Sequence, residues 1–216
     1  MDKEQVKKAL KEIKENSKKR NFSQSIDLIF TFRDLNLKNP EEQMDFSITL
    51  SHGLGKKVKV AALAGPEMAD NAKKVCDLVV TQADFDKYKD KKEAKKLASS
   101  YDYFIGQADI MPKIAGAFGR FFGPRGKMPN PKLGTILPGK APVEPVYEKL
   151  QRTVRVVAKK APMAQVKIGS ESMKEEEVID NILTVYNQVI HHLPKEKSNL
   201  KDVYVKLTMS KPVKIE

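Results

Sequence analysis

The stretch "SHGLGKKVKVAALAG", residues 51–65, is where this chain changes its grammar. Upstream of it, apolar residues alternate with polar ones, as in "MDFSITLS" (residues 44–51). From Val58 onward the strand-like segments are short continuous apolar runs, separated by helical patterns. Alternation marks a strand with one wet face, and a continuous run marks a strand covered on both faces. Two kinds of sheet therefore meet here, and Gly53 and Gly55 punctuate the junction.

Working downstream, "VKVAALAG" reads as a strand, Pro66 to Lys74 as a helix, and "CDLVVT" as a strand. "DFDKYKDKKEAKKLASS" reads as one polar helix, "YDYFIGQ" as a strand, and "MPKIAGAFGRFF" and "VEPVYEKLQRT" as helices. Strands and helices alternating at this spacing predict βαβ units on a parallel sheet with helices on both sides. Working upstream, Val6, Leu10 and Ile13 make one apolar stripe on a helix over residues 3–16. Ile26, Leu28 and Phe30 then alternate with Asp27, Ile29 and Thr31, and an antiparallel pair with "MDFSITLS" is expected.

From Thr153 the first grammar returns. "VRVVAKK" and "AQVKIGS" flank "APM" and read as a hairpin. Val178, Ile182, Val185, Val189 and Leu193 stripe a long helix, and "DVYVKLTMSKPVKI" reads as a closing strand. Neither flank makes a domain alone. The expected architecture is mixed α/β and α+β in two domains. A split α+β sandwich, an antiparallel sheet with helices, comes from residues 1–57 plus 153–216, and residues 58–152 form an inserted α/β domain. Two chain crossings at one junction would act as a hinge.

The 216 residues carry a net charge of +12 and a pI near 9.5, which favours polyanionic partners. Residues 1–57, 58–152 and 153–216 contribute +3, +6 and +3. Within the middle segment the whole excess sits in residues 110–140, where Lys113, Arg120, Arg125, Lys127, Lys132 and Lys140 occur with no Asp or Glu. The loop in that region, "FFGPRGKMPNPKLGTILPGK" (residues 121–140), holds four glycines and four prolines, so neither a regular helix nor a central strand is expected there. The lone Cys76 excludes an internal disulfide framework and fits a reducing cytoplasm. No apolar run reaches the roughly 18 residues of a membrane span, and "MDKEQVKKALKEIKENSKKR" has no apolar signal core.

Enzyme chemistry finds no foothold. The three histidines show no metal-ligand spacing and no Gly-x-Ser-x-Gly elbow exists. Gly126-Lys127 is followed by Met128 rather than Ser or Thr, and "ALAGPEMAD" has one glycine where a dinucleotide fingerprint needs three. No cofactor or metal is implied. Nucleic acid is the better reading. Lys18, Lys19 and Arg20 precede Phe22 at the mouth of the first strand, a pattern that neutralises phosphates and stacks on a base. "VKIGS" ends a strand at Gly169, and "KLTMSK" carries Lys206, Thr208, Met209 and Lys211. The first pattern also fits a solvated helix end with a core Phe, and the last an ordinary edge strand. Only their convergence on the split domain gives them weight. A regulatory nucleic-acid-binding module is one protein such a pattern would suit.

"GPRGKMPNPKLGT", Gly123 to Thr135, resembles the signature of the L-one family of large-subunit ribosomal proteins. "SHGLGK", "VKIG" and "DVYVKLTM" follow that family's order along the whole chain, and the chain ends resemble the archaeal form. The resemblance implies a Rossmann-like three-layer inserted domain hinged to the split domain. It implies binding to the stalk region of large-subunit rRNA, help in releasing deacylated tRNA from the exit site, and repression of the protein's own mRNA. Carried over by motif, the RNA-binding positions are Lys19, Phe22, Ser25 and Asp27, then Lys167, Gly169 and Ser170, then Thr208, Met209 and Ser210. Arg125, Lys127 and Lys132 form a secondary cationic loop. Two positions depart from the family: Ser210 stands where Gly is usual, and Ser170 where Lys is usual.

Overall fold

A computed structural model describes residues 1–215, Lys89 by its backbone alone. Contacts divide the chain into two compact units, Met1–Lys56 with Arg152–Glu216, and Lys57–Gln151. The fold is mixed: antiparallel sheets with helices in the first unit, and a parallel sheet with helices in the second.

In the first unit, α1 (Lys3–Glu15) precedes β1 (Ser25–Phe32), and β2 spans Met44–Thr49. After the second unit come β7 (Thr153–Ala158), β8 (Met163–Ser170), α6 (Glu175–His192), β9 (Leu200–Leu207) and β10 (Val213–Lys214). The main sheet has the antiparallel order β10-β9-β1-β8, and β2 pairs with β7 in a separate ladder. Ile26, Leu28, Phe30 and Phe32 point inward from β1, with Val203, Val205 and Leu207 from β9. Val6, Leu10 and Ile13 of α1 are buried, as are Val178, Ile182, Val185 and Val189 of α6, so both apolar stripes are spent on the core.

Three expectations for this unit need correction. β1 does not pair with β2: both its edges are taken, by β8 and by β9. The connection between them is long and internally bonded. Asp34 lies at φ 55, and Asn36 N donates to Glu42 Oε2 at 2.7 Å, so the chain turns away instead of doubling back. β7 and β8 form no ladder among the described residues: β7 pairs with β2, and β8 pairs with β1. The C-terminal stretch is a hairpin of β9 and β10 rather than one strand.

In the β2–β7 ladder Asp45 receives a fork from Arg155, Nε at 2.6 Å and Nη2 at 2.7 Å, and Lys159 Nζ lies 2.6 Å away. The Arg155 hydrogen bonds hold the Asp45 carboxyl down at about 2, against the opposing effect of partial burial. Its unfolded value is near 3.9. The folded value is the lower one, so the contribution to stability is whole above about pH 4 and is lost as pH falls toward 2. The stability gap between wild type and Asp45→Asn should therefore close over that window in urea unfolding at stepped pH. A gap that stays constant would remove the carboxylate from the account.

In the second unit, β3 (Val60–Ala64), β4 (Leu78–Thr81), β5 (Tyr103–Gln107) and β6 (Ile136–Leu137) form a parallel sheet in the order β4-β3-β5-β6. β3 is buried along its length and feeds two cores. Ala61 and Leu63 face Leu97, Phe104, Ile114, Phe118 and Phe122, under α3 (Lys91–Ser100) and α4 (Met111–Phe122). Val60, Ala62 and Ala64 face Met68, Ala72 and Leu150, under α2 (Pro66–Val75) and α5 (Glu144–Gln151). The single helix expected over residues 84–100 is two elements. A 3-10 segment, Gln82–Lys89, ends at Asp90, whose side chain accepts from Lys92 N and caps α3.

Candidate nucleic-acid interface

One end of the main sheet gathers three loops: the approach from α1 to β1, the turn after β8, and the turn from β9 to β10. Gln24, 1% exposed, ties them together. Its Nε2 donates to Ser17 Oγ at 3.1 Å, and its Oε1 accepts from Met209 N at 3.2 Å. Its backbone pairs with Glu171 in both directions, N to Oε2 at 3.2 Å and O from Glu171 N at 2.9 Å. Sequence reading passed over Gln24. The signal was its parity: counting back from Phe30, Leu28 and Ile26 puts it on the inward side.

The hydroxyls expected on these strands are gathered, and most are already engaged. Ser25 N donates to Thr208 Oγ1 at 3.0 Å, and Thr208 N donates to Ser25 O at 3.1 Å. Thr208 is exposed, so its oxygen keeps an open lone pair. Ser170 is buried at 5% exposure, bonded to Ser23 Oγ at 2.8 Å and Ser172 Oγ at 3.2 Å. It stands in the wall of the site rather than on its surface. Ser210 closes its turn: its Oγ accepts from Leu207 N at 2.8 Å, and its own N donates to Leu207 O at 3.1 Å. Its backbone is not in the left-handed region, so this turn does not require Gly.

Gly169 is the residue whose role the structure changes. It is buried, and a Cβ there would meet Met173 Sδ at 3.1 Å and Val178 Cγ2 at 3.4 Å. The space it opens is filled by the protein's own chain, beside a bulge where Ile26 faces Gly169 and Asp27 faces Lys167. Across the other edge Asp27 faces Lys206. Asp27 Oδ2 accepts from Gln165 Nε2 at 3.1 Å. The half-exposed outer face therefore carries a carboxylate between two lysines, able to accept from hydroxyl or amino donors while the lysines meet phosphates.

Lys18, Lys19 and Arg20 are exposed and form no ion pair among the described residues. Phe22 is 52% exposed and Met209 59%, two of the four large apolar side chains left open among the described residues. Large apolar groups held out in solvent beside unneutralised cations suit base or ribose stacking plus phosphate contact.

The secondary loop is largely self-packed. Lys127 Nζ donates to Ala98 O at 2.9 Å and Tyr101 O at 2.6 Å, capping the end of α3, and burial pushes its pKa down. Arg125 Nη1 bonds Phe121 O at 3.1 Å and stays exposed, as does Lys132. Thr135 is 2% exposed and takes Asn130 N at 2.8 Å, and Gly126 and Gly134 lie at φ 64 and 72. The signature's residues thus build the loop's shape, and β6 at its end joins β5 in parallel.

A nucleotide would bind a doubly wound unit outside the carboxyl ends of β3 and β5, where the strand order reverses. Here that crevice is filled. Gln107 Oε1 takes Gly65 N at 2.7 Å at the N-terminus of α2. Any Cβ on Gly139 would meet Glu67 Oε2 at 2.6 Å and Gln107 Nε2 at 2.8 Å. A carboxylate and an amide stand where phosphate would go. No helix among the described residues is long and apolar enough to cross a membrane.

The model of the family described as Ribosomal protein L1p/L10e matches residues 5–211. The large ribosomal subunit protein uL1 of Pyrococcus abyssi is 38% identical over 216 residues, covering 100% of this chain and 97% of that protein. The uL1 protein of Methanobrevibacter smithii is 41% identical over 214 residues, with 98% and 99% covered. That of Nanoarchaeum equitans is 42% identical over 216 residues, with 98% of each covered.

Proposed function

The chain belongs to the ribosomal protein L1p/L10e family, and from that premise we propose that it holds the stalk region of large-subunit rRNA with the end of its main sheet. It is a structural protein of the large subunit and not an enzyme. The observation that carries the proposal is the convergence of three loops on Gln24, which sets Thr208, Phe22 and Met209 on one surface beside exposed cations. Such a surface reads RNA by shape and 2′-hydroxyls, with hydroxyl and backbone groups outnumbering charges at the centre. The same surface would grip a similar fold on the protein's own mRNA and so repress translation. Held on the stalk, the protein would assist deacylated tRNA out of the exit site. In place of a phosphate-binding Lys at position 170, Lys167 supplies the charge on β8.

Thr208→Ala tests the assignment. Its bonds to Ser25 are exposed, so stability should fall by less than about 1 kcal/mol. In the complex the missing acceptor leaves RNA and Ser25 donors unpaired, and rRNA affinity should fall by about 5- to 30-fold in filter binding. Unchanged affinity would sink the assignment. Co-sedimentation with large subunits at moderate salt separates this reading from a regulator that acts only off the ribosome. Faster loss of deacylated tRNA from subunits that carry the protein than from subunits that lack it would support the exit-site role.

A further inference from the structure

The helices on the two faces of the parallel sheet differ in charge. α2 and α5 carry three lysines against four carboxylates, whereas α3 and α4 carry six cations against Glu93 alone. Between α3, α4 and the 3-10 segment lies an open basin of about 670 Å³. Phe85 and Phe121 line it with Lys91, Lys113, Gly116 and Arg120, and Asp86 also borders it. Lys91, Lys113 and Arg120 are exposed, and none forms an ion pair among the described residues. Lys113, Gly116 and Arg120 share one face of α4 at spacings of three and four, which sets the two cations about 10 Å apart along the axis. Gly116 is an exposed mid-helix glycine whose missing Cβ would meet nothing within 4 Å. Ala would favour the helix, and the missing side chain leaves the basin open at this point.

We propose that this α3–α4 face is a second RNA surface, one that takes a duplex phosphate–ribose backbone without reading its sequence. The rim cations meet phosphates, and the aromatic floor lies against ribose, with room at Gly116 for the backbone to come close. A purely acidic peptide would use the rim but leave the apolar floor and the open glycine without a role. The site lies on the other unit from the stalk grip and goes beyond that reading, since any duplex backbone would suffice.

The test titrates full-length protein with a short RNA duplex of unrelated sequence across a salt series, and in parallel with the stalk fragment. Combined Lys91→Gln, Lys113→Gln and Arg120→Gln should lower the duplex salt slope by about two to three and its low-salt affinity by at least tenfold. Stalk-fragment affinity at high salt should stay within about twofold. Gly116→Leu, which favours the helix, should weaken duplex binding several-fold with the slope unchanged. Unchanged duplex affinity and slope in the triple variant would overturn the proposal. So would polyglutamate displacing the duplex as well as RNA of equal charge does. Loss of stalk binding by Thr208→Ala with duplex binding intact is the separate signature of the split-unit grip.

Discussion

Gln24→Ala should lower stalk-rRNA affinity by roughly 30-fold, about 2 kcal/mol, although no atom of its side chain is exposed enough to be a main RNA contact. The side chain bridges Ser17 and the Met209 turn, and its backbone holds Glu171. Truncation removes the side-chain partner of Met209 N and of Ser17 Oγ at a buried position. The free protein should lose about 1–3 kcal/mol in urea unfolding. The affinity loss arises because three loops held in one geometry must then be ordered by the RNA itself. Gln24→Glu separates position from chemistry: it keeps the acceptor for Met209 N but cannot donate to Ser17 Oγ. A partial loss is expected. If Gln24→Ala binds the fragment as wild type does while its stability falls, the loops are not the recognition surface.

Much of the fold was legible because each unit writes a different period. The 2-residue alternation of β1 and the continuous apolar run of β3 are direct consequences of one-sided and two-sided burial. Strand partners were less legible. Period says which face is buried but nothing about which edge is free, so nearness in sequence suggested β1 with β2 and β7 with β8, and both inferences failed. In the candidate site, hydroxyls and exposed apolar groups could be read from motif. Which hydroxyl faces outward could not. Ser170 and Thr208 look alike in sequence, and only packing separates the buried one from the open one. Asn181 shows the same limit. It falls at helical spacing in the apolar stripe of α6, fully buried, and its Oδ1 takes His52 N at 3.0 Å while its Nδ2 bonds Ile168 O at 3.0 Å. A polar residue at an apolar position was the available signal. Likewise Lys127 counted as a loop cation by sequence, yet its ammonium closes the end of α3.

Phe118→Ala should have the largest effect on stability and among the smallest on stalk recognition. Phe118 is fully buried, edge-on to Phe85 at 5.2 Å and stacked on Phe122 at 5.1 Å, which stacks in turn on Phe104 at 4.1 Å. It joins α4 to the floor of the parallel sheet, and removing the ring leaves a cavity in a cluster of aromatics that cannot close without breaking its own stacks. Such truncations cost about 3–5 kcal/mol. For a unit of this size that lowers its melting temperature by about 12 °C at the least. The cost falls within Lys57–Gln151 alone, because every partner named lies there. Calorimetry should show one transition move down while the other stays. At a temperature between the two, the stalk fragment should still bind with near wild-type affinity at high salt, since Gln24, Thr208 and Phe22 belong to the intact unit. Binding of unrelated duplex RNA should vanish at that same temperature, because α3 and α4 are gone. Stalk binding that disappears with the lower transition would place recognition on the α/β unit instead. A duplex signal that survives it would move the sequence-independent contact to the split unit, where Lys18, Lys19 and Arg20 are exposed cations that form no ion pair among the described residues.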